Sequence, residues 1–91
     1  MNKTALDVVL EIRKRNGYVD YFELFYSNYT VFYSGSYYAY VYETDDPDSD
    51  ANEHEYGWRS FEEMLDSEIE EIGMTWRQVL LATPADKVVA G

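Results

Sequence analysis

The sequence predicts a mixed α+β fold: an N-terminal helix, a three-stranded antiparallel meander, an acidic loop and two C-terminal helices. Three observations lead to this prediction. Apolar residues recur at helical spacing near both ends, a central stretch is rich in strand formers, and a run of carboxylates follows that stretch. The chain has 91 residues, of which 46% are hydrophobic. We therefore predict a single domain over residues 1–91 with one hydrophobic core.

The first helix is predicted at about residues 5–15. Thr4 is a suitable N-cap, and Asp7 stands three residues later, as in a capping box. Asn16-Gly17 is a common helix stop, and the basic residues before it suit the negative end of the helix dipole. We interpret this basic cluster as dipole compensation rather than as a nucleic-acid patch. It comprises Arg13, Lys14 and Arg15.

Tyrosines and other strand formers then predict three antiparallel strands, at about residues 18–26, 29–34 and 37–44. If Ser27-Asn28 and Gly35-Ser36 are both two-residue turns, the alternation of side chains assigns each residue to one face. One face then holds Phe22, Leu24, Tyr26, Tyr29, Val31, Tyr33, Tyr38, Tyr40 and Tyr42. The other holds Val19, Tyr21, Glu23, Phe25, Thr30, Phe32, Tyr37, Ala39 and Val41. Neither face is plainly polar, so the sheet is either covered on both sides or presents tyrosines to a partner.

Two C-terminal helices are predicted, at about residues 61–72 and 76–83. Ser60 and Thr75 are their N-caps, because each is followed three residues later by Glu or Gln. The apolar stripe of the first of these helices is Phe61, Met64, Leu65, Ile69 and Ile72. Residues 85–91 are weakly specified and are expected to form a frayed turn or a short apolar tail.

Residues 45–57 are dominated by carboxylates and show no apolar periodicity, which predicts a surface loop. Within it, Asp46, Asp48 and Asp50 match the first, third and fifth positions of a calcium loop. The sixth position lacks the required Gly, and the twelfth lacks the bidentate Glu. We therefore expect a solvated acidic loop, with weak calcium binding at these three aspartates as the minor alternative.

The net charge of −11 is the strongest global signal, and it is unevenly distributed. The first 42 residues carry four basic and four acidic side chains. The rest of the chain carries fourteen acidic side chains but only three basic ones, Arg59, Arg77 and Lys87. Such a surface repels nucleic acid and anionic membranes and attracts basic proteins. We therefore expect a basic, nucleic-acid-binding protein as the partner, with no direct binding of nucleic acid or membrane.

The chain contains no cysteine, so no disulfide, thiol nucleophile or thiolate metal site can form. This is typical of a reducing compartment, and we expect a cytoplasmic location, in the host cell if a phage encodes the protein. His54 is the only histidine, and the sequence has no G-x-S-x-G, H-E-x-x-H or glycine-rich phosphate motif. The sequence therefore predicts a protein without enzymatic activity, catalytic residues or a cofactor.

The candidate binding surface combines carboxylates with aromatic anchors. On one continuous helix, Glu62, Asp66 and Glu70 would form a row of charges about 5 to 6 Å apart, comparable to phosphates along a strand. The acidic loop adds Asp45, Asp46, Asp48, Asp50, Glu53 and Glu55 to this predicted partner-binding set. The candidate anchors are Tyr38, Tyr40, Tyr42 and Trp58.

In size, acidity, lack of cysteine and lack of a catalytic motif, the chain resembles the small inhibitors encoded by phages, such as anti-CRISPR proteins and DNA mimics. The resemblance is one of general character over the whole chain and involves no motif. It implies a stoichiometric, non-enzymatic inhibitor that blocks a cationic nucleic-acid-binding site on a partner protein. The alternative is a small bacterial or phage structural or regulatory interaction module, such as an oligomer (for example a homodimer) through its Tyr-rich sheet, whose acidity serves solubility only.

Overall fold

The computed structural model describes residues 3–48 and 52–91, and within them it confirms the mixed α+β class with three helices and an antiparallel sheet. The helices are α1 (Ala5–Asn16), α2 (Phe61–Asp66) and α3 (Trp76–Ala82). The strands are β1 (Tyr21–Tyr26), β2 (Tyr29–Ser34), β3 (Tyr38–Glu43), β4 (His54–Gly57), β5 (Glu68–Ile69), β6 (Met74–Thr75) and β7 (Val88–Ala90). A short 3-10 helix spans Ala85–Lys87. Over the described residues, no helix is long and apolar enough to cross a membrane.

Each helix begins at a residue that the sequence predicts as its cap. The side chains of Thr4, Ser60 and Thr75 each accept a hydrogen bond from the backbone N–H three residues later. α1 ends at Gly17, whose φ of 84° lies in the left-handed region that glycine adopts without strain. These local contacts determine where the helices start along the chain.

The main sheet has the strand order β4-β3-β2-β1-β7, and all neighbouring strands are antiparallel. All three helices bury their apolar residues in one core, which covers one face of this sheet. Near its centre, the Phe22 ring stacks on Tyr33 with centroids 5.1 Å apart and meets Trp76 edge-on at 6.2 Å. The buried core residues of the main sheet are Phe22, Leu24, Val31, Tyr33, Ala39 and Val41.

The helix expected over residues 61–72 is shorter than predicted, because α2 ends at Asp66. Ser67 is extended, and its hydroxyl donates to the Met64 carbonyl at 2.8 Å, which closes the last turn. The chain continues as the antiparallel ribbon of β5 and β6. A longer helix would place more carboxylates at the negative end of its dipole, and α2 has no basic residue in its last turn to offset them. The ribbon still buries Ile69, so the apolar pattern is satisfied without the helix.

The prediction of a loop over residues 45–57 was wrong at its C-terminal end. There the chain forms β4, which pairs with β3. Aromatic rings alternate with other residues in this segment, at His54, Tyr56 and Trp58, and such alternation is typical of a strand. The many carboxylates around the segment nevertheless led to the prediction of a loop. The C-terminal residues form an edge strand rather than a frayed tail, because β7 pairs with β1. Both strands depend on partners that are distant in sequence.

The turn between β2 and β3 has three residues, Gly35–Tyr37, instead of the expected two. Tyr37 has a φ of 61°, as is common for the last residue of a three-residue hairpin loop. Because side chains alternate along a strand, one extra turn residue moves every side chain of β3 to the other face. The predicted faces of β3 were therefore wrong. Ala39 and Val41 lie in the core, and the tyrosines of β3 lie on the opposite face.

Gly35→Ala is expected to lower the free energy of unfolding by about 1 to 3 kcal/mol. A Cβ atom at Gly35 would lie 2.7 Å from the Asp20 carbonyl oxygen and 2.8 Å from that of Val19. Both are backbone atoms, so the turn or the entry to β1 must shift. Gly57→Ala is the matched control, because its Cβ would meet no atom within 4 Å and the change should stay within about 0.5 kcal/mol. Urea denaturation compares them, and equal stability of the two variants would contradict the close approach.

The stability of the fold is expected to fall in alkali, and Tyr33 contributes to this fall. Burial, followed by the nearby Tyr37 hydroxyl, raises the pKa of Tyr33 from 10.0 to about 12. The folded state holds this proton more tightly than the unfolded chain, so the contribution is complete below pH 10.0 and is lost as the pH rises to about 12. The loss amounts to about 3 kcal/mol. Urea denaturation at pH 8 and at pH 11.5 should show a smaller decrease for Tyr33→Phe than for the wild type, and an equal decrease would refute this origin.

Candidate functional site

The face of the main sheet opposite the core is lined by aromatic side chains, which range from half-buried to exposed. Its side chains belong to Tyr21, Glu23, Phe25, Thr30, Phe32, Ser34, Tyr38, Tyr40, Tyr42, Glu55 and Val89, which we call the aromatic face. None of these residues belongs to the core that the helices share. Phe25 and Val89 are each 59% exposed. A contiguous exposed surface rich in apolar atoms is typical of a site for protein interaction.

A row of four side chains crosses the centre of the aromatic face. Glu23 of β1 stands opposite Phe32 of β2, Phe32 opposite Tyr40 of β3, and Tyr40 opposite Glu55 of β4. Neighbouring strands are about 4.8 Å apart, so the row spans about 14 Å and places two rings between two carboxylates. The centroids of the two rings are 6.2 Å apart. We call these four residues the central row.

Further rings surround the central row and hold it in place. Tyr21 stacks beside Phe32 with centroids 6.4 Å apart, and Tyr38 meets Tyr40 edge-on at 4.9 Å. These separations lie within the range of favourable aromatic pairs, about 4.5 to 7 Å. The rings are therefore arranged before any partner arrives, which reduces the entropy that binding must remove.

The aromatic face carries negative charge and no positive charge at its described strand positions, because its ionisable side chains other than tyrosine are Glu23 and Glu55. Partial burial, followed by the Glu55 carboxylate, raises the pKa of Tyr38 above its ordinary value. Like an ordinary tyrosine, Tyr38 is protonated at neutral pH and adds no charge of its own. The surface pairs apolar rings with carboxylates, a combination that favours cationic partners.

The predicted carboxylate row of Glu62, Asp66 and Glu70 is not continuous in the structure. Glu70 lies beyond the end of α2. Arg13 Nη2 lies 2.8 Å from Glu62 Oε1, and Arg77 Nη2 lies 3.1 Å from Asp66 Oδ1. Two of the three carboxylates are therefore paired within the chain, and the regular spacing that would imitate phosphates is lost.

Asp46 has a structural part in the predicted calcium loop. Its two carboxylate oxygens accept hydrogen bonds from the Asp48 backbone N–H at 2.8 Å and from the Asn52 side-chain amide at 3.1 Å. These contacts organise the loop after β3. Asp50 lies outside the described residues. Over the residues that the structure describes, no group of three or more acidic or histidine side chains is placed to hold a metal ion.

The other predicted binding residues are divided between the aromatic face and the rest of the surface. Tyr38, Tyr40, Tyr42 and Glu55 lie on the aromatic face, whereas Asp45 is exposed and Glu53 is half-buried outside it. Trp58 packs on the core instead, since its ring stacks beside Tyr56 at 6.0 Å and meets Trp76 edge-on at 5.1 Å. Trp58 therefore supports β4 and is not an exposed anchor.

Sequence reasoning missed half of the central row. Phe32 and Glu23 were assigned to the face opposite the tyrosines of β3, because the turn before β3 was expected to have two residues. The signal that identifies the correct face is the pair Ala39 and Val41, which have no polar side-chain atom, whereas each intervening tyrosine has a hydroxyl that prefers water.

A polar cluster around Glu71 holds β4 in place and was also missed. The Tyr56 hydroxyl donates to Glu71 Oε1 at 2.6 Å, and His54 Nδ1 lies 3.0 Å from Glu71 Oε2. The Tyr56 hydroxyl also accepts the backbone N–H of Glu70 at 3.0 Å. Burial, followed by the hydrogen bond to Glu71, raises the pKa of Tyr56 above its ordinary value. The cluster fixes the residues on both sides of Glu55 and so positions one end of the central row.

Comparisons with known proteins return no match, neither to a protein-family model, nor to a curated protein, nor to a solved structure. The features of this chain that bear on its function are therefore the geometry and the charge of the aromatic face.

Proposed function

We propose that the chain is a non-enzymatic binding protein that docks a basic protein on its aromatic face. The observation that carries the proposal is the central row, in which Phe32 and Tyr40 lie between Glu23 and Glu55 on the sheet face opposite the core. Aromatic side chains are the residues that most often dominate the energy of an interface, and flanking carboxylates select a partner of opposite charge. The net charge of −11 adds long-range attraction to such a partner.

Docking of this kind would make the protein an inhibitor wherever its partner uses the same cations to bind nucleic acid. One copy of the chain would cover those cations and exclude phosphate groups. Because Glu62 and Asp66 are paired with arginines of the chain itself, we place the contact on the aromatic face rather than on a phosphate-like row along α2.

Self-association through the same face is the second candidate, supported by the exposed apolar side chains of Phe25 and Val89. Two copies would each bring a net charge of −11 and the same two carboxylates of the central row. This repulsion opposes the contact at low salt and is screened at high salt. Sedimentation velocity at low and at high salt distinguishes the two candidates. A dimer that appears as the salt concentration rises would support self-association.

The proposal is tested by capturing proteins from a lysate on the immobilised chain at about 50 mM and about 500 mM salt and identifying them. We expect a basic, nucleic-acid-binding protein that is retained at low salt and released at high salt. A variant with both Glu23→Gln and Glu55→Gln should lose this partner. The matched control combines Glu68→Gln with Glu70→Gln, which neutralises two exposed carboxylates outside the aromatic face. Recovery of the bait alone, or equal retention by both variants, would contradict the proposal.

A further inference from the structure

We propose that the central row is a recognition site for two arginine side chains, spaced as Arg-x-Arg in an extended segment of the partner protein. The inference rests on the proposed function, since it names the chemistry of the basic partner that the aromatic face binds.

The protein itself contains the contact that we assign to its partner. The guanidinium carbon of Arg13 lies 4.8 Å from the centroid of the Phe61 ring, and Nη2 of the same arginine lies 2.8 Å from Glu62 Oε1. The ring distance is within the limit of about 6 Å for a cation–π contact. One arginine therefore stacks on a ring and pairs with the adjacent carboxylate at the same time.

The central row offers the same two components twice. Glu23 stands beside Phe32, and Glu55 stands beside Tyr40, in each case directly opposite on the neighbouring strand. Side chains in such positions have Cβ atoms about 4.5 to 5.5 Å apart. Among the described residues, neither carboxylate takes part in an ion pair within the chain. Each pair therefore offers the same two chemical groups, an aromatic ring and a carboxylate, that hold Arg13.

The distance between the two rings determines the spacing of the arginines. The centroids of Phe32 and Tyr40 are 6.2 Å apart. In an extended segment, residues i and i+2 point to the same side and are about 6.6 to 6.8 Å apart. A segment with Arg-x-Arg that crosses the strands of the sheet can thus place one guanidinium over each ring. Two adjacent arginines cannot do so, because their side chains point to opposite sides.

Arginine suits the central row better than lysine for a geometric reason. A guanidinium group is planar, so it can lie flat on a ring while two of its N–H groups donate to a carboxylate in the same plane. The ammonium group of lysine is a compact and strongly hydrated charge that lacks this plane. A preference for arginine at equal peptide charge therefore distinguishes recognition by the central row from general attraction to an acidic protein.

The test is a calorimetric titration of the full chain with three synthetic peptides of equal length and charge. They contain an Arg-x-Arg pair, a Lys-x-Lys pair or an adjacent Arg-Arg pair in an otherwise identical Gly/Ser sequence. We expect the Arg-x-Arg peptide to bind at least about fivefold more tightly than the other two. Phe32→Leu and Tyr40→Leu retain apolar bulk but remove the ring, and each should lower this ratio towards one. Leu81→Ala, on the surface of α3, is the control that should keep the ratio.

The outcomes separate this inference from the proposed function. Equal affinity of the wild type for all three peptides, or no binding of any of them, would overturn the arginine assignment. The proposed function would stand in both cases if the lysate partner is still lost when Glu23 and Glu55 are neutralised. A peptide preference that persists unchanged in Phe32→Leu and Tyr40→Leu, both shown to be folded by thermal denaturation, would also overturn the assignment to the central row.

Discussion

Tyr40→Lys is expected to weaken binding of the basic partner on the order of 100-fold or more. The substitution removes one of the two rings of the central row, and truncation of an aromatic anchor at an interface costs about 2 kcal/mol or more. It also places a cation next to Phe32 and Glu55, where it repels the partner and competes for the carboxylate. The two effects act at the same place, so a single change should remove most of the affinity.

Leu81→Lys is the matched control for this prediction. It adds the same charge at an apolar position that is 50% exposed, but on α3, which lies on the other side of the sheet. We expect a loss of less than about threefold, through the change in net charge alone. Surface plasmon resonance with the identified partner at one fixed salt concentration compares the two variants. An equal loss for both would show that net charge, and not the aromatic face, governs binding.

Phe22→Ala is expected to lower the free energy of unfolding by about 3 to 5 kcal/mol. Phe22 is fully buried between Tyr33 and Trp76, and its removal leaves a cavity that the surrounding strands and helices cannot fill. Small domains have a total stability of about 5 to 15 kcal/mol. The variant should therefore unfold at a much lower urea concentration than the wild type.

Phe25→Ala is the matched control, since it removes the same ring from the same strand but from the opposite face. Phe25 is 59% exposed, and we expect a change within about 1 kcal/mol. Urea titrations followed by the fluorescence of Trp58 and Trp76 measure both variants. A cost for Phe25→Ala equal to that of Phe22→Ala would refute the assignment of the two sheet faces.

The sequence predicts the helix starts well because their signals are local. Thr4, Ser60 and Thr75 each bond to a backbone group three residues away, so the contact is visible in the sequence itself. The end of α2 is less visible, because Ser67 and the ribbon that follows depend on the burial of Ile69 against the core. Apolar spacing alone is compatible with a longer helix and with the observed ribbon.

The two edge strands of the main sheet have only weak local signals in the sequence. β4 is only four residues long and follows an acidic stretch, and β7 is three residues long. Each becomes a strand because a distant neighbour, β3 or β1, supplies its hydrogen-bonding partners. β4 also gains the contacts of Tyr56 with Glu71, which join residues that are 15 positions apart.

The candidate site could be predicted only in part, because one residue in a turn decides its composition. The tyrosines of β3 are evident from the sequence, but their neighbours on the sheet depend on whether Tyr37 belongs to the turn or to the strand. The pairing of Glu62 with Arg13 could not be predicted from the sequence either, since it joins α1 to α2 across the fold. Net charge can be counted in a sequence, whereas the charge that remains free for a partner depends on tertiary contacts.

The aromatic face exists only if the tyrosines of β3 point away from the core, and alkylation of single cysteines tests this orientation most directly. The chain has no cysteine of its own, so Tyr40→Cys and Val41→Cys each provide one reporter on adjacent residues of the same strand. In the native protein, we expect Cys at position 40 to react within about tenfold of the rate for Phe25→Cys. Cys at position 41 should react at least about 100-fold more slowly, because alkylation there requires the core to open. Faster labelling at position 41 than at position 40 would contradict the aromatic face and the functions proposed for it.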